Sequence, residues 1–376
     1  MKQISPDIPS PEFRNHAVSP SQLEVLTEGS TVSAGAKPAY LSLVRRRLWL
    51  LTAMATVVLL LAMIDLSTGP SSYSLTDIAR LLWDSESPIA LEVIVYDIRL
   101  PAVLAALVIG AGLSVAGTQM QTVLHNPLAS PFTLGVSAAA SFGAALGLVF
   151  GATTLPVSLG NWVVPASAFF MSTMAVLLIE RLTRWRGMNN ELIILLGTTL
   201  VFTFTALLQG LQYAVPDRAL EAVVFWTMGN LSRVSSTQLV LIAAILFLVM
   251  VCFMRSAWQL TAMRLGEERA SAMGIPVARL RLQTILLSSV LASLCVSFVG
   301  TIGFVGLVAP HMARIIVGED QRFLIPASAL CGAALLSAAS IAGKIAVPGQ
   351  VLPIGIVTSL VGVPMFLVLI LRRRRV

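Results

Sequence analysis

This sequence is short of charge. Only 11% of its 376 residues are Asp, Glu, Lys or Arg, while 56% are hydrophobic. Soluble domains carry roughly 25% charged residues, and mean hydropathy here is +0.87. The length alone would suggest two soluble domains, but this composition excludes that and points to one polytopic membrane bundle. Acids are nearly missing from the apolar runs: Asp65 stands near the end of one, and Glu180 borders another. Ion- and proton-coupled carriers usually need ionisable relays at mid-membrane, so the shortage argues against that class.

Other absences narrow the chemistry. Cys252, Cys295 and Cys331 all fall inside apolar runs without a metal or disulfide spacing; they read as small core residues. His16 lies in a polar leader, and His125 and His311 have no acidic or cysteine neighbours in sequence, so no metal set is expected. The one Gly-Lys pair, Gly343-Lys344, is followed by Ile345, which breaks the phosphate-cradling pattern. No catalytic residues are expected, and active transport would draw its energy from another polypeptide.

Long apolar runs are what is present. A span needs about 20 mainly apolar residues. Candidates are 48–66, 101–123, 132–151, 162–182, 192–213, 237–254, 282–301, 324–342 and 353–371, with a shorter run at 304–317 broken by Pro310 and His311. The expectation is an all-α membrane bundle of about ten helices, the eighth short or broken. Residues 1–44, polar and rich in Ser and Pro, read as a disordered cytoplasmic tail, and 45–376 as the membrane domain. Arg45 to Arg47 precede the first run and Arg372 to Arg375 follow the last. By the positive-inside rule both termini are cytoplasmic. The net charge of +7 is thereby a topology signal, and no nucleic-acid partner is expected.

Inside the runs, Gly135, Ala139, Gly143 and Gly147 recur every fourth residue, and Gly300, Gly303 and Gly306 every third; both sets read as helix-packing stripes. Gln119, Gln121, Thr203, Thr205 and Gln209 are the main mid-membrane polar groups and read as lining for a large polar solute. Residues 70–98 contain SLTDIARLLW, an amphipathic stretch for the outer surface, either lid or packing cover.

Two polar interruptions carry the most information. Residues 255–281 hold Arg255, Arg264, Arg269, Arg279 and Arg281, which assign them to the cytoplasm. Within them GEERASAMGIP reads as a short helix stopped by Gly274 and Pro276, either a grip for a separate motor or a solvated loop. The second, HNPLASPFTLGVS at 125–137, is a cytoplasmic hairpin in which Pro127 and Pro131 push the residues before them out of helix. It is either a gate element or a turn that sets the angle between two helices.

Six stretches follow one another in order: DIRLPAVLAALVIGAGLSVAGTQMQ at 97–121, NPLASPFTLGVSAA at 126–139, RLGEERASAMGI at 264–275, FVGLVAPHMAR at 304–314, GEDQRFLIPASALCGAALL at 318–336 and LPIGIVTSLVGVPMF at 352–366. In them the chain resembles the permease subunits of bacterial binding-protein-dependent ABC importers for iron–siderophores, haem and vitamin B12. The resemblance runs from about residue 60 to the end. It implies a non-enzymatic membrane subunit in the bacterial inner membrane, importing ferric siderophore in the first instance, with haem or cobalamin as alternatives. A self-sufficient secondary carrier is the reading from another class.

The implied partners are a second permease, identical or not, two ATPase subunits that bind the ATP and magnesium, an extracytoplasmic solute-binding protein, and membrane lipid. No cofactor is expected in this chain. By the resemblance Arg264, Gly266, Glu267, Ala270 and Gly274 belong to the ATPase-coupling segment. Asn126, Pro127 and Leu128 form the cytoplasmic gate, paired with Asn189, Asn190 and Glu191. Arg99 and Lys344 face the binding protein, with packing an open alternative for Arg99. Ala102 and Lys344 stand where the family usually has arginine, and Ser340 where it has an acid. The last change implies a lost salt bridge and raises the prospect of an unlike permease partner.

Overall fold

A computed structural model describes residues 20–69, 89–151, 157–186 and 190–373. The chain divides into Met1–Trp49 and Leu50–Val376. Helix α1 runs Pro20–Ser67, and so takes in part of the segment read as a tail; residues 1–19 lie outside the described ones, as do residues 70–88 with the amphipathic SLTDIARLLW. The second unit continues with α2 (Ile89–Val123), α3 (Val136–Gly151), α4 (Val157–Arg186), α5 (Asn190–Ala214), α6 (Asp217–Thr227) and α7 (Ser236–Arg255). Then come the short α8 (Ala257–Met263) and α9 (Glu267–Ala272), followed by α10 (Val277–Val299), α11 (Val305–Val317), α12 (Gln321–Ile345) and α13 (Ile354–Arg373). Among the described residues, seven helices are long and apolar enough to cross a membrane, and the helices at 136–151, 305–317 and 354–367 are shorter apolar ones. Each expected span has its helix.

Burial sorts the helices. The apolar windows of α2 and α10 are 72% buried and that of α12 is 61%, against 6% for α1; the first three are the core and α1 is peripheral. Without water to drive helices together, close backbone approach does the work. A β-carbon on Gly110 of α2 would fall 2.3 Å from the Gly332 carbonyl oxygen of α12. One on Gly117 would fall 1.9 Å from the Gly306 oxygen of α11. Any side chain at either glycine prises core helices apart.

The stripe in α3 holds in part: Gly143 and Gly147 face Ser167 of α4, but Gly135 sits at φ +80° and starts the helix. That start, at residue 136 and not 132, follows from the turns that occupy 126–135. The Gly300–Gly303–Gly306 stripe is a misreading of the pattern. Gly300, at φ +85°, ends α10, Gly303 lies in the link, and only Gly306 is helical. In the link the Thr301 hydroxyl donates to the Thr227 carbonyl, and just before it the Val299 carbonyl accepts from the Asn230 N–H (2.7 Å). Such irregular backbone persists at membrane depth where protein covers it. Cys295 and Cys331 are buried as expected, whereas Cys252 is exposed.

Proline shapes the start of α2. Pro101 has no N–H and its ring crowds the carbonyl four residues back. The ladder shifts to a π turn over Val93–Arg99, with the Leu100 N–H bonding Val95. That turn carries Arg99 inward.

Candidate functional site

Polar side chains gather at two ends of the bundle. At the end that charge placement assigns to the outside, Asp65 of α1 is wholly buried. Its Oδ1 accepts from Lys344 Nζ (2.6 Å) and from the Ser340 hydroxyl (2.9 Å), both on α12. The Asp65 carbonyl takes a second bond from Lys344 Nζ, 2.9 Å. The salt bridge expected to be lost at Ser340 is therefore present, with its acid supplied from another helix 275 residues away in sequence. Arg99, 5% exposed, donates Nη1 to the carbonyls of Leu66 (3.1 Å) and Ser67 (3.3 Å). These are last-turn carbonyls of α1, which lack helical partners. Of the roles left open for Arg99, this geometry is that of packing, and it leaves Lys344 engaged inside the fold too. Arg233, in the turn Leu231–Arg233, is a basic residue that the same end does expose. It lines a polar pocket of about 290 Å³ with Asn161, Ser235 and Gln238, and partial burial lowers its pKa from the ordinary arginine value.

At the other end the coupling segment meets the hairpin. The hairpin is built by its own polar groups. Asn126 Oδ1 accepts from the Leu128 N–H (2.8 Å), its carbonyl from the Ala129 N–H (3.1 Å), and Ser130 and Thr133 exchange bonds that start the next turn. Leu128 is left 46% exposed. His125 precedes it at φ +49°, in the left-handed region where His is tolerated better than bulky residues. Its Nε2 donates to the Met263 carbonyl at the end of α8, 2.7 Å.

The short helix α9 is bracketed by glycines with a conformational purpose. Gly266 stands at φ +105° and Gly274 at φ +79°, and a β-carbon on either would meet open space. Gly274 closes α9 by the Schellman pattern, with Ile275 N–H to the Ala270 carbonyl (3.1 Å) and Gly274 N–H to the Ser271 carbonyl (2.9 Å). Ala270 is buried beneath it, and Glu267 pairs with Arg281 of α10. The outward side carries Leu265 and Met273, both at least half exposed. Beside it Arg264 Nη2 lies 2.7 Å from Glu319 Oε1, and Arg314 Nε lies 3.4 Å from Glu319 Oε2. Arg314 also donates Nη1 to Gln121 Oε1.

These groups enclose a cavity of about 340 Å³ that takes in His125, Pro127, Leu128, Arg264, Arg314 and Glu319. Glu191 is exposed and is not among its lining residues. Asn189, and the side chain of Asn190, fall outside the described residues. Arg314 and Glu319 were missed from sequence; a charged pair in FVGLVAPHMAR and GEDQRF, flanking the end of the broken helix, is the signal that went unused.

One residue read as path lining does something else. Gln119 is fully buried and donates Nε2 to Gln321 Oε1 (3.0 Å), while Gln321 Nε2 reaches the Thr122 hydroxyl (2.9 Å), so it bonds helices together. Gln121 is held by Arg314 and also lines the cavity at the hairpin. Thr203 and Gln209 are on the exposed side of α5. Among the described residues, no cluster of His, Cys, Asp and Glu is arranged to hold a metal ion.

Comparison with known proteins gives concordant results. The model of the FecCD transport family matches residues 57–372. A protein of Methanocaldococcus jannaschii described as an ABC transporter permease is 41% identical over 288 residues, 75% of this chain and 82% of that one. The hemin transport system permease of Yersinia pestis is 35% identical over 317 residues, 84% of this chain and 95% of that one. Other relatives are named for vitamin B12 and molybdate import. A solved structure described as an inward-facing conformation of a metal-chelate type ABC transporter superposes with a TM-score of 0.74 at 29% identity, covering 86% of this chain and 99% of that one.

Proposed function

Because this chain belongs to the FecCD transport family, and is thus the multi-pass permease of an ABC importer, we propose that its cargo is a ferric siderophore delivered by a solute-binding protein. The observation that carries the importer reading is the short helix α9, bracketed by Gly266 and Gly274, with α8 just before it bonded to the hairpin through His125 and the Met263 carbonyl. A rigid, protruding helix in a basic segment suits a motor that grips from the cytoplasm. In this reading Arg264, Gly266, Glu267, Ala270 and Gly274 receive the push of two ATPase subunits, which bind the ATP and magnesium. Nucleotide then biases the bundle between outward and inward openings, with Asn126, Pro127 and Leu128 at the inner door.

The membrane is the bacterial inner membrane and both termini are cytoplasmic, on the arginine pattern. Asp65 supplies the acid missing at position 340, which removes the reason for an unlike partner, so the second permease is another copy of this chain. The docking face for the binding protein leans on exposed Arg218 and Arg233, since Arg99 and Lys344 are engaged within the fold.

Siderophores wrap their metal, so they suit a path where no metal-holding cluster is found among the described residues. Haem is the second reading, favoured by the hemin permease of Yersinia pestis at 35% identity. The test is the affinity of the cognate binding protein for ferric siderophores, haem, cobalamin and molybdate. Tight binding of ferric siderophore alone supports the proposal; tight binding of haem with none of ferric siderophore overturns it.

A further inference from the structure

We infer that Gln121, His125, Arg264, Arg314 and Glu319 form a clamp that carries motion from the coupling segment to the inner hairpin, an inference that rests on the importer reading above. The residues come from separate parts of the chain and meet in one cavity. One limb is direct: the His125 ring, at the start of the hairpin, donates to the Met263 carbonyl that ends α8. A carbonyl only accepts, so His125 bears a proton on Nε2 in this contact.

The other limb is a relay of charge. Arg264, next to Met263, holds Glu319 between α11 and α12; Glu319 is shared with Arg314, and Arg314 grips Gln121 in the last turn of α2. A further bond, Gln321 N–H to the Thr261 hydroxyl (3.1 Å), runs beside them and continues through Gln321 to Thr122. Every limb starts in α8 or just after it, and every one ends within the last turns of α2 or at the hairpin.

Packing alone would not call for these particular contacts. The exposure of Arg264 and Glu319, 31% and 49% by side chain, is high for a stabilising pair, and exposed pairs contribute about 0–1 kcal/mol. Their value is directional: a displacement of α8 pulls on α11 and α2 together. Buried Arg314 is the pivot, since it touches both Glu319 and Gln121. These are positioning residues, acting on the gate through the hairpin they hold.

The experiment uses the whole complex with its ATPase subunits in nanodiscs. Leu128→Cys is introduced as a reporter in a Cys252→Ser background, because Cys295 and Cys331 are buried. The labelling rate with a hydrophilic maleimide is measured with and without ATP. In the parent the rate shifts severalfold with ATP. Glu319→Arg abolishes the shift, Glu319→Gln weakens it, and Glu319→Asp, which keeps a carboxylate facing both Arg264 and Arg314, retains most of it. ATP hydrolysed per substrate imported rises by about tenfold in Glu319→Arg, within the usual range of coupling free energies, and stays near the parent in Glu319→Asp.

The clamp is overturned if the parent rate ignores ATP, if Glu319→Arg responds like the parent, or if Glu319→Asp does no better than Glu319→Arg. Failure of Glu319→Arg to co-purify with the ATPase also overturns it, since the residues would then serve assembly. Labelling that follows ATP in a complex that imports no ferric siderophore leaves the clamp standing and removes the substrate proposal.

Discussion

The two ends of the bundle use the same residue types to opposite purpose. At the Asp65–Lys344 end the charges are 0% and 10% exposed and multiply bonded, and they fasten a peripheral helix to the core. At the Arg264–Glu319 end the pair is 31% and 49% exposed and borders a cavity. Charge taken out of water is expensive to leave unpaired, so the first end is a lock. Charge left partly in water is cheap to rearrange, so the second end is suited to motion.

The largest expected effect breaks the lock. Asp65→Ala leaves Lys344 buried without its partner and costs about 3–5 kcal/mol, read as a fall in the melting temperature of the detergent-purified protein. Asp65→Asn with Lys344→Met removes both charges and recovers most of that loss. Equal stability of Asp65→Ala and the parent would dissolve the contrast.

At the other end the effect moves from stability to transport. Arg264→Gln shifts stability by no more than about 1 kcal/mol, yet lowers ATP-driven uptake by about tenfold. A melting shift as large as that of Asp65→Ala would make this end a second lock. Gly274→Trp forces a side chain into a left-handed position and disturbs α9 alone, since open space surrounds it. Uptake should fall while membrane insertion and binding-protein docking persist, and unchanged uptake would refute the coupling role. The smallest effect belongs to Leu128→Ala, which shortens an exposed hairpin side chain. It is expected to raise ATP-independent leak from loaded vesicles without changing the melting temperature.

The helices were legible because the apolar runs are long, and α9 because Gly274 and Pro276 stop a short charged stretch. The lock was not legible. Asp65 and Lys344 lie 279 residues apart, and nothing local in SIAGK says that an acid from α1 will complete it. Polarity also misled for Gln119: a polar residue in an apolar helix faces either a path or another helix, and sequence does not say which. Structure resolves that through Gln321. The Gly300–Gly306 spacing misled for a related reason, since Gly serves both close packing and positive φ.

The central claim, import driven by ATP through this permease, meets its most direct test in proteoliposomes. They would hold this chain with its ATPase, loaded binding protein outside and ATP within. The account predicts saturable accumulation of ferric siderophore that requires ATP and ignores a proton gradient. Accumulation driven by a proton gradient without ATP would contradict it.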